Sequence, residues 1–323
     1  MGPEEILPGQ QDLLDWLLDW DNPSARHLAL RDLFDGGEHD PAAREAQRAI
    51  EDWRPVREIL TAMDPISFWG RSEWPFYGGP LSTHATLYLL ARLGLPRIPQ
   101  IIPACESLAE YGQLPSGGFS RDHTEEGLSL CITGTATYTL IRFGYAADPR
   151  VERALSYLMR CGVEPGGLGC VCADGPVCEW GAVKAVSAFA ALPASERTPG
   201  RLRAARMMAD VLLDRPFDFD GPDAHWLEFG FPTDYQSDLA ELCDVLAQLE
   251  LGADPRLDPL LDLLVESCGP AGRWMKHFGT RALRVERRGE PSKWITIRAL
   301  RALKRARRTG TEDMRSVLRD GAA

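Results

Sequence analysis

The sequence predicts an all-α fold of about five or six helical hairpins, stacked as an open solenoid or closed into an (α/α) toroid, of which the toroid is the expected form. Three features lead there: an internal repeat, apolar spacings of three and four within each repeat, and no β-branched alternating run of convincing length. Ala147-Asp148-Pro149-Arg150-Val151 recurs as Ala253-Asp254-Pro255-Arg256-Leu257. Leu155 and Leu158 recur as Leu261 and Leu264, and Gly166 and Leu168 as Gly272 and Trp274. One offset serves all these pairs and equals two units of about 53 residues. Gln113-x3-Gly117-x-Phe119, Gly162-x3-Gly166-x-Leu168, a degenerate Phe217-x3-Gly221 and Cys268-x3-Gly272-x-Trp274 mark successive turns.

In chain order, residues 11–34 read as one or two helices, with a break at Pro23 and Ser24 as a cap for Ala25–Phe34. Pro41 to about Met63 reads as a longer helix with a break at Pro55. Residues 64–80 read as an aromatic loop. Each later unit then has two helical segments. Tyr235, Leu239, Leu242, Leu246 and Leu249 illustrate the first, and Leu257, Leu260, Leu261, Leu264 and Val265 the second. Asp-Pro between them places proline in the first turn, where its missing N–H costs nothing. The last helix, Ser292 to about Arg308, carries Trp294, Ile297, Leu300 and Leu303 on one face. A solenoid end would be polar, so this apolar end favours ring closure. The expected organisation is a helical lead at 1–65 packed on the toroid, the toroid at 66–308, and a frayed tail at 309–323.

The chain has 323 residues, a net charge of −11, and 44% apolar and 26% charged residues, the profile of a globular protein. Its acidity argues against a general nucleic-acid binder. No run approaches the ~20 apolar residues of a membrane span. The first twenty residues carry five acids and do not resemble a signal sequence. A cytoplasmic location is therefore expected, where the eight cysteines serve as thiols or metal ligands rather than disulfides.

Gln113-Leu114-Pro115-Ser116-Gly117-Gly118-Phe119 resembles the Gln-x3-Gly-x-Trp repeat of squalene cyclases and protein prenyltransferases. Cys268-Gly269-Pro270-Ala271-Gly272-Arg273-Trp274 is similar, with Cys for Gln. The resemblance spans roughly 80–308 and is to the small, single-toroid bacterial members. It implies a toroid enclosing an apolar cavity, and a small apolar, isoprenoid-type ligand. The chemistry of those families does not carry over. The acidic Asp-x-Asp-Asp of class II cyclases is replaced by Asp218-Phe219-Asp220-Gly221, and neither Asp-Asp-x-x-Asp nor Asp-x-Cys is present.

The candidate site residues cluster at helix starts. Cys131 and Cys178 open two Cys-x-x-Gly elements one repeat apart, and the loop between them carries Cys170 and Cys172. Four thiolates converging there would suit zinc; the alternative is buried or redox-active thiols. His84 and Asp238 are candidate proton donors, against a structural histidine and a helix-dipole charge. Trp180, Tyr235, Lys293 and Trp294 are candidate ligand contacts, against core packing. The basic run from Arg281 to Arg308 reads as an anion or acidic-partner surface, or as a solvated face. Three functions remain open: a terpenoid-cyclase or prenyltransferase-like protein acting on an apolar ligand, a non-catalytic repeat protein binding a protein or lipid, and a zinc-thiolate enzyme centred on Cys131, Cys170, Cys172 and Cys178. An aromatic cavity holding Asp238, His84 or Lys293 would mark the first. A filled ring centre with an exposed apolar groove would mark the second.

Overall fold

The computed structural model describes residues 11–34, 37–64, 68–70, 76, 79–164, 166–170, 175–279, 283 and 285–306. Thirteen α-helices lie among them: α1 (Gln11–Leu17), α2 (Pro23–Leu33), α3 (Pro41–Ala49), α4 (Arg54–Thr61), α5 (Thr83–Arg92), α6 (Ile102–Tyr111), α7 (Leu130–Arg142), α8 (Pro149–Val163), α9 (Glu179–Ala190), α10 (Pro199–Leu213), α11 (Leu239–Leu246), α12 (Asp258–Glu266) and α13 (Lys293–Arg305). The described residues contain isolated β-bridges but no strands.

Burial sorts the helices into two layers. α5, α7, α9, α11 and α13 are buried on nearly every face, which only an inner position permits. α8, α10 and α12 bury one stripe and lie outside. Each inner helix packs on the next, from α5 through α7, α9 and α11 to α13. α2 packs on α13 and closes the circuit to α5, where Ser24 Oγ donates to the Leu93 carbonyl at 2.7 Å. The architecture is an all-α toroid with six inner helices among the described residues.

The repeat signature has a physical role in each unit. Asp148 and Asp254 cap the following turn by accepting from the N–H of Arg150 and Arg256. Each arginine folds back onto its aspartate and reaches the preceding outer helix: Arg150 to Glu106 at 2.7 Å, Arg256 to Asp210 and Asp214 at 2.7 Å each. Gln113 Nε2 donates to Gly117 O and Arg150 O, tying the turn to the start of α8. Three loop aromatics donate a backbone N–H to a threonine in an inner helix: Trp69 to Thr83, Phe119 to Thr133, Trp274 to Thr296, at 2.9–3.1 Å. That pairing fixes where each loop enters the ring.

Two boundaries differ from those expected. Asn22, not Ser24, caps α2, because its side chain accepts from Ala25 N at 3.0 Å; Ser24 is already inside the helix and serves the ring closure. The segment from Pro41 forms two helices, and the break falls at 50–53, ahead of Pro55, which sits in the first turn of α4. Most of the aromatic loop, the tail from 307 and residues 1–10 lie outside the described residues.

Candidate functional site

The inner helices run in the same sense, so the ring has an end of helix starts and an end of helix finishes. The end of helix starts is closed. The segment 229–238 enters the ring there, with Phe231 stacked on Trp294 at 4.7 Å and Thr233 Oγ1 accepting from Lys184 Nζ at 3.2 Å. Asp238 is fully buried. It caps α11 at Glu241 N, accepts from Gly230 N at 2.9 Å and pairs with Arg298 at 2.8 Å. It therefore pins this segment across the mouth. Just inside, Lys184 and Glu241 pair at 2.7 Å with both side chains fully buried, and Arg92 approaches Glu241 at 3.4 Å. Burial alone would raise the Glu241 pKa, but Lys184, Arg92 and Arg298 bring it down to about 2. Burial pulls the Lys184 ammonium down, and Glu241 opposes that pull. The pair is ionised.

The other expected residues at this end are also engaged. His84 Nε2 lies 2.9 Å from Thr135 Oγ1, and burial lowers its pKa to about 3, so the ring is neutral at neutral pH. Lys293 Nζ meets Asp19 at 3.2 Å. Trp294 Nε1 donates to Ser24 Oγ at 3.0 Å. Trp180 faces Tyr235 at 6.2 Å and His225 at 5.5 Å, and Tyr235 is half exposed, in the loop before α11 rather than in a helix. Two of the cysteines come together: Ser129 Oγ is 2.9 Å from Cys131 Sγ and 3.5 Å from Cys170 Sγ. Cys178 Sγ accepts from Gly181 N at the start of α9. Cys172 lies outside the described residues, and among those residues no group of three His, Cys, Asp or Glu is placed to hold a metal.

The end of helix finishes is open. A cavity of about 760 Å³ lies there, within the usual range of small-ligand pockets. It is lined by eight arginines (Arg31, Arg44, Arg48, Arg92, Arg142, Arg197, Arg301, Arg305) and two carboxylates, Asp32 and Glu38. Some of these guanidinium groups are committed to the protein. Arg197 caps α9 by donating to the Ala190 and Leu192 carbonyls, as cations do at helix C-termini. Arg31 pairs with Asp32, and Arg301 bridges Asp32 and Asp244. Arg142 is not so held. Its ion pair is with Glu38 at 3.9 Å, and that carboxylate is 72% exposed. Burial, then the nearby Arg31 charge, lower the Arg142 pKa; burial and Arg301 do the same to Arg305. The wall is thus richer in positive charge than its own carboxylates balance.

Two smaller cavities continue down the ring axis. One of about 30 Å³ shares Arg31, Arg92, Tyr138, Arg142 and Arg301 with the chamber and is otherwise walled by Leu28, Ala91, Phe231, Trp294 and Ile297, with Arg298. The other, about 10 Å³, lies between Tyr88, Phe231 and Asp234. Each has room for only one or two waters. None of the three cavities is lined by Asp238, His84 or Lys293. Arg301 and Arg305 belong to the basic run read from the sequence as an anion surface, but the other six chamber arginines were missed, although two of them repeat in register. Arg92-Leu93-Gly94 and Arg142-Phe143-Gly144 end successive inner helices, with the glycine at φ +80° and +84° turning the chain out.

The chain is thus an all-α toroid with an arginine-lined chamber at one end. No family model and no curated protein matches it. Among solved structures, apo type II terpene cyclase MstE from Scytonema is similar, with a TM-score of 0.48 and 14% identity over 95% of this chain and 99% of that one. Structures of variants of the same cyclase align as well. The complex with its substrate geranylgeranyl dihydroxybenzoate covers 90% of this chain and 99% of its own at 15% identity and a TM-score of 0.32. The complex with its product merosterolic acid A covers 91% and 99% at 14% and 0.31. Among the described residues, no helix is long and apolar enough to cross a membrane.

Proposed function

We propose that this toroid binds a small, multiply anionic ligand in the chamber at the C-terminal end of its inner helices. The observation that carries the reading is the eight-arginine wall around about 760 Å³, with partly buried Arg142 lacking a close carboxylate. Guanidinium groups held on rigid helices suit phosphate and carboxylate oxygens, which they meet with paired N–H donors. A thermal-shift titration with sodium pyrophosphate at constant ionic strength tests it. The melting temperature rises in the native protein, as it must for a ligand that binds only the folded state, and does not rise in Arg142→Ala. No rise in the native protein removes the reading.

A second reading is the apolar, isoprenoid ligand of a terpenoid-cyclase or prenyltransferase-like protein. It is favoured by the aromatic wall of Tyr88, Phe231 and Trp294 along the axis. The small axial cavities hold no such ligand, so this reading requires the segment around Phe231 to leave the ring. Farnesol titration followed by tryptophan fluorescence, with native protein and Phe231→Ala, tests it; no saturable change in either removes it. A zinc site at Cys131, Cys170, Cys172 and Cys178 is supported by the shared contact of Cys131 and Cys170 with Ser129. Metal analysis of untagged protein decides it: one equivalent, lost in Cys131→Ser, supports the site, and absence of zinc rejects it.

A further inference from the structure

The chamber presents acceptors as well as donors. Arginine can only donate hydrogen bonds. Three other lining groups have acceptor atoms to spare. His27 is 3% exposed, and its Nδ1 lies 2.9 Å from the Ala43 carbonyl. That oxygen only accepts, so Nδ1 carries the proton and Nε2 presents a lone pair. Burial, then the nearby Arg31 charge, bring the ring pKa down to about 4, so this form holds at neutral pH. Nε2 is buried without a partner among the described residues. Gln47 spends its amide N–H on the Gly94 carbonyl at 3.2 Å, and Gln248 spends its own on Asp244 at 3.0 Å. Both side-chain oxygens are left without a partner among the described residues.

Resting on the anion reading above, we propose that the ligand is a phosphorylated polyol of the sugar-phosphate class. Its phosphate is held by Arg142, the chamber arginine without a close carboxylate, and its hydroxyl groups donate to His27 Nε2, Gln47 Oε1 and Gln248 Oε1. Inorganic pyrophosphate satisfies the arginines but brings few hydrogen-bond donors. A nucleotide needs a face on which its base can stack. The one phenol ring lining the chamber, Tyr138, already has the Arg92 guanidinium over it, 5.7 Å from its centroid. A site built to bond hydroxyl groups discriminates against ligands that lack them, because buried His27 Nε2 then goes unpaired.

Calorimetric titration of the full chain at pH 7.5 with glucose 6-phosphate, fructose 1,6-bisphosphate, inorganic pyrophosphate and glucose tests the assignment. At least one sugar phosphate binds about tenfold or more tighter than pyrophosphate, and glucose binds far more weakly. Gln47→Leu and, independently, Gln248→Leu remove most of that advantage while leaving pyrophosphate affinity unchanged. Unaltered melting curves establish that each variant is folded. Pyrophosphate binding as tightly as both sugar phosphates overturns the sugar-phosphate assignment and leaves the anion site standing. No binding by any of the three phosphates overturns the anion reading itself.

Discussion

Trp294 Nε1 donates to Ser24 Oγ at 3.0 Å, and the same hydroxyl donates to the Leu93 carbonyl at 2.7 Å. One fully buried serine thus joins the last inner helix, the first, and the end of the second. The clasp spans 270 residues of chain on one side and 69 on the other. It closes the ring with a directional bond in addition to apolar packing. Ser24→Ala leaves an indole N–H and a carbonyl unpaired in the core, at about 1–3 kcal/mol for each buried group. Urea unfolding should show that loss. A fall below about 0.5 kcal/mol would mean the closure is held by packing alone.

The Lys184–Glu241 pair sits where the ring would otherwise be hollow. Removing one partner strands the other charge in a dry interior, which costs about 3–5 kcal/mol, whereas replacing both with apolar groups of similar size can be neutral. Lys184→Met should therefore be strongly destabilised, and Lys184→Met combined with Glu241→Leu should recover most of the loss. Because Tyr88 and Arg92 also face Glu241, the double variant does not return fully to the native value. Chemical denaturation of the two variants side by side gives the comparison.

Two buried histidines drive the acid response, and buried Glu286 opposes them. Burial holds His27 at about 4 and His84 at about 3, against an ordinary value of 6.5. Below pH 6.5 the unfolded chain binds protons that the folded chain refuses, so stability falls as pH falls. The slope approaches about 1.4 kcal/mol per pH unit for each histidine and flattens only near the folded values. Glu241, held at about 2, adds its own loss lower down: its contribution is complete above pH 4.5 and disappears as pH falls through 2. Burial raises the Glu286 pKa to about 7, so the folded chain takes up that proton first and offsets part of the loss above pH 4.5. Urea midpoints should still decline between pH 6.5 and 4.5, and His84→Gln should make the decline markedly shallower. A flat profile would contradict neutral burial of both rings.

The repeat was legible because each of its residues has a local task that sequence can display. Asp148 and Asp254 cap, and Gln113 ties a turn to the next helix. Helix type followed from the spacing of leucines. The open end of the ring was not legible. It depends on the segment from Phe229 to Asp238, which fills the mouth at the helix starts. Attention to helix starts, where caps and cysteines are conspicuous, led to His84, Asp238 and Lys293. Of the chamber arginines only Arg301 and Arg305 fell in the basic run; Arg31, Arg92 and Arg142 end other inner helices, and a lone arginine in a last helical turn reads as dipole compensation. Only the convergence of several inner helices reveals how many of them face one space.

The two Cys-x-x-Gly elements separate into different packing roles. α7 and α9 form the most extensive helix contact in the ring, and Gly134 lies at its centre. A methyl group on Gly134 would stand 2.5 Å from the carbonyl carbon of Lys184 and 2.6 Å from the backbone nitrogen of Ala185. Backbone cannot yield as a side chain can, so α9 must shift bodily. A methyl on Gly181 would meet Leu130 Cβ at 3.1 Å and Cys178 Sγ at 3.0 Å, contacts that small side-chain movements relieve. Alanine gains up to about 1 kcal/mol over glycine within a helix, but overpacking a close contact costs about 1–3 kcal/mol. Gly134→Ala should therefore lose stability while Gly181→Ala stays near neutral. Since the shifted backbone carries Lys184, the Gly134 variant should also weaken pyrophosphate binding at the far end of the ring, through Glu241 and Arg92. Equal behaviour of the two variants in unfolding and in titration would show that the close approach of α7 and α9 has no such consequence.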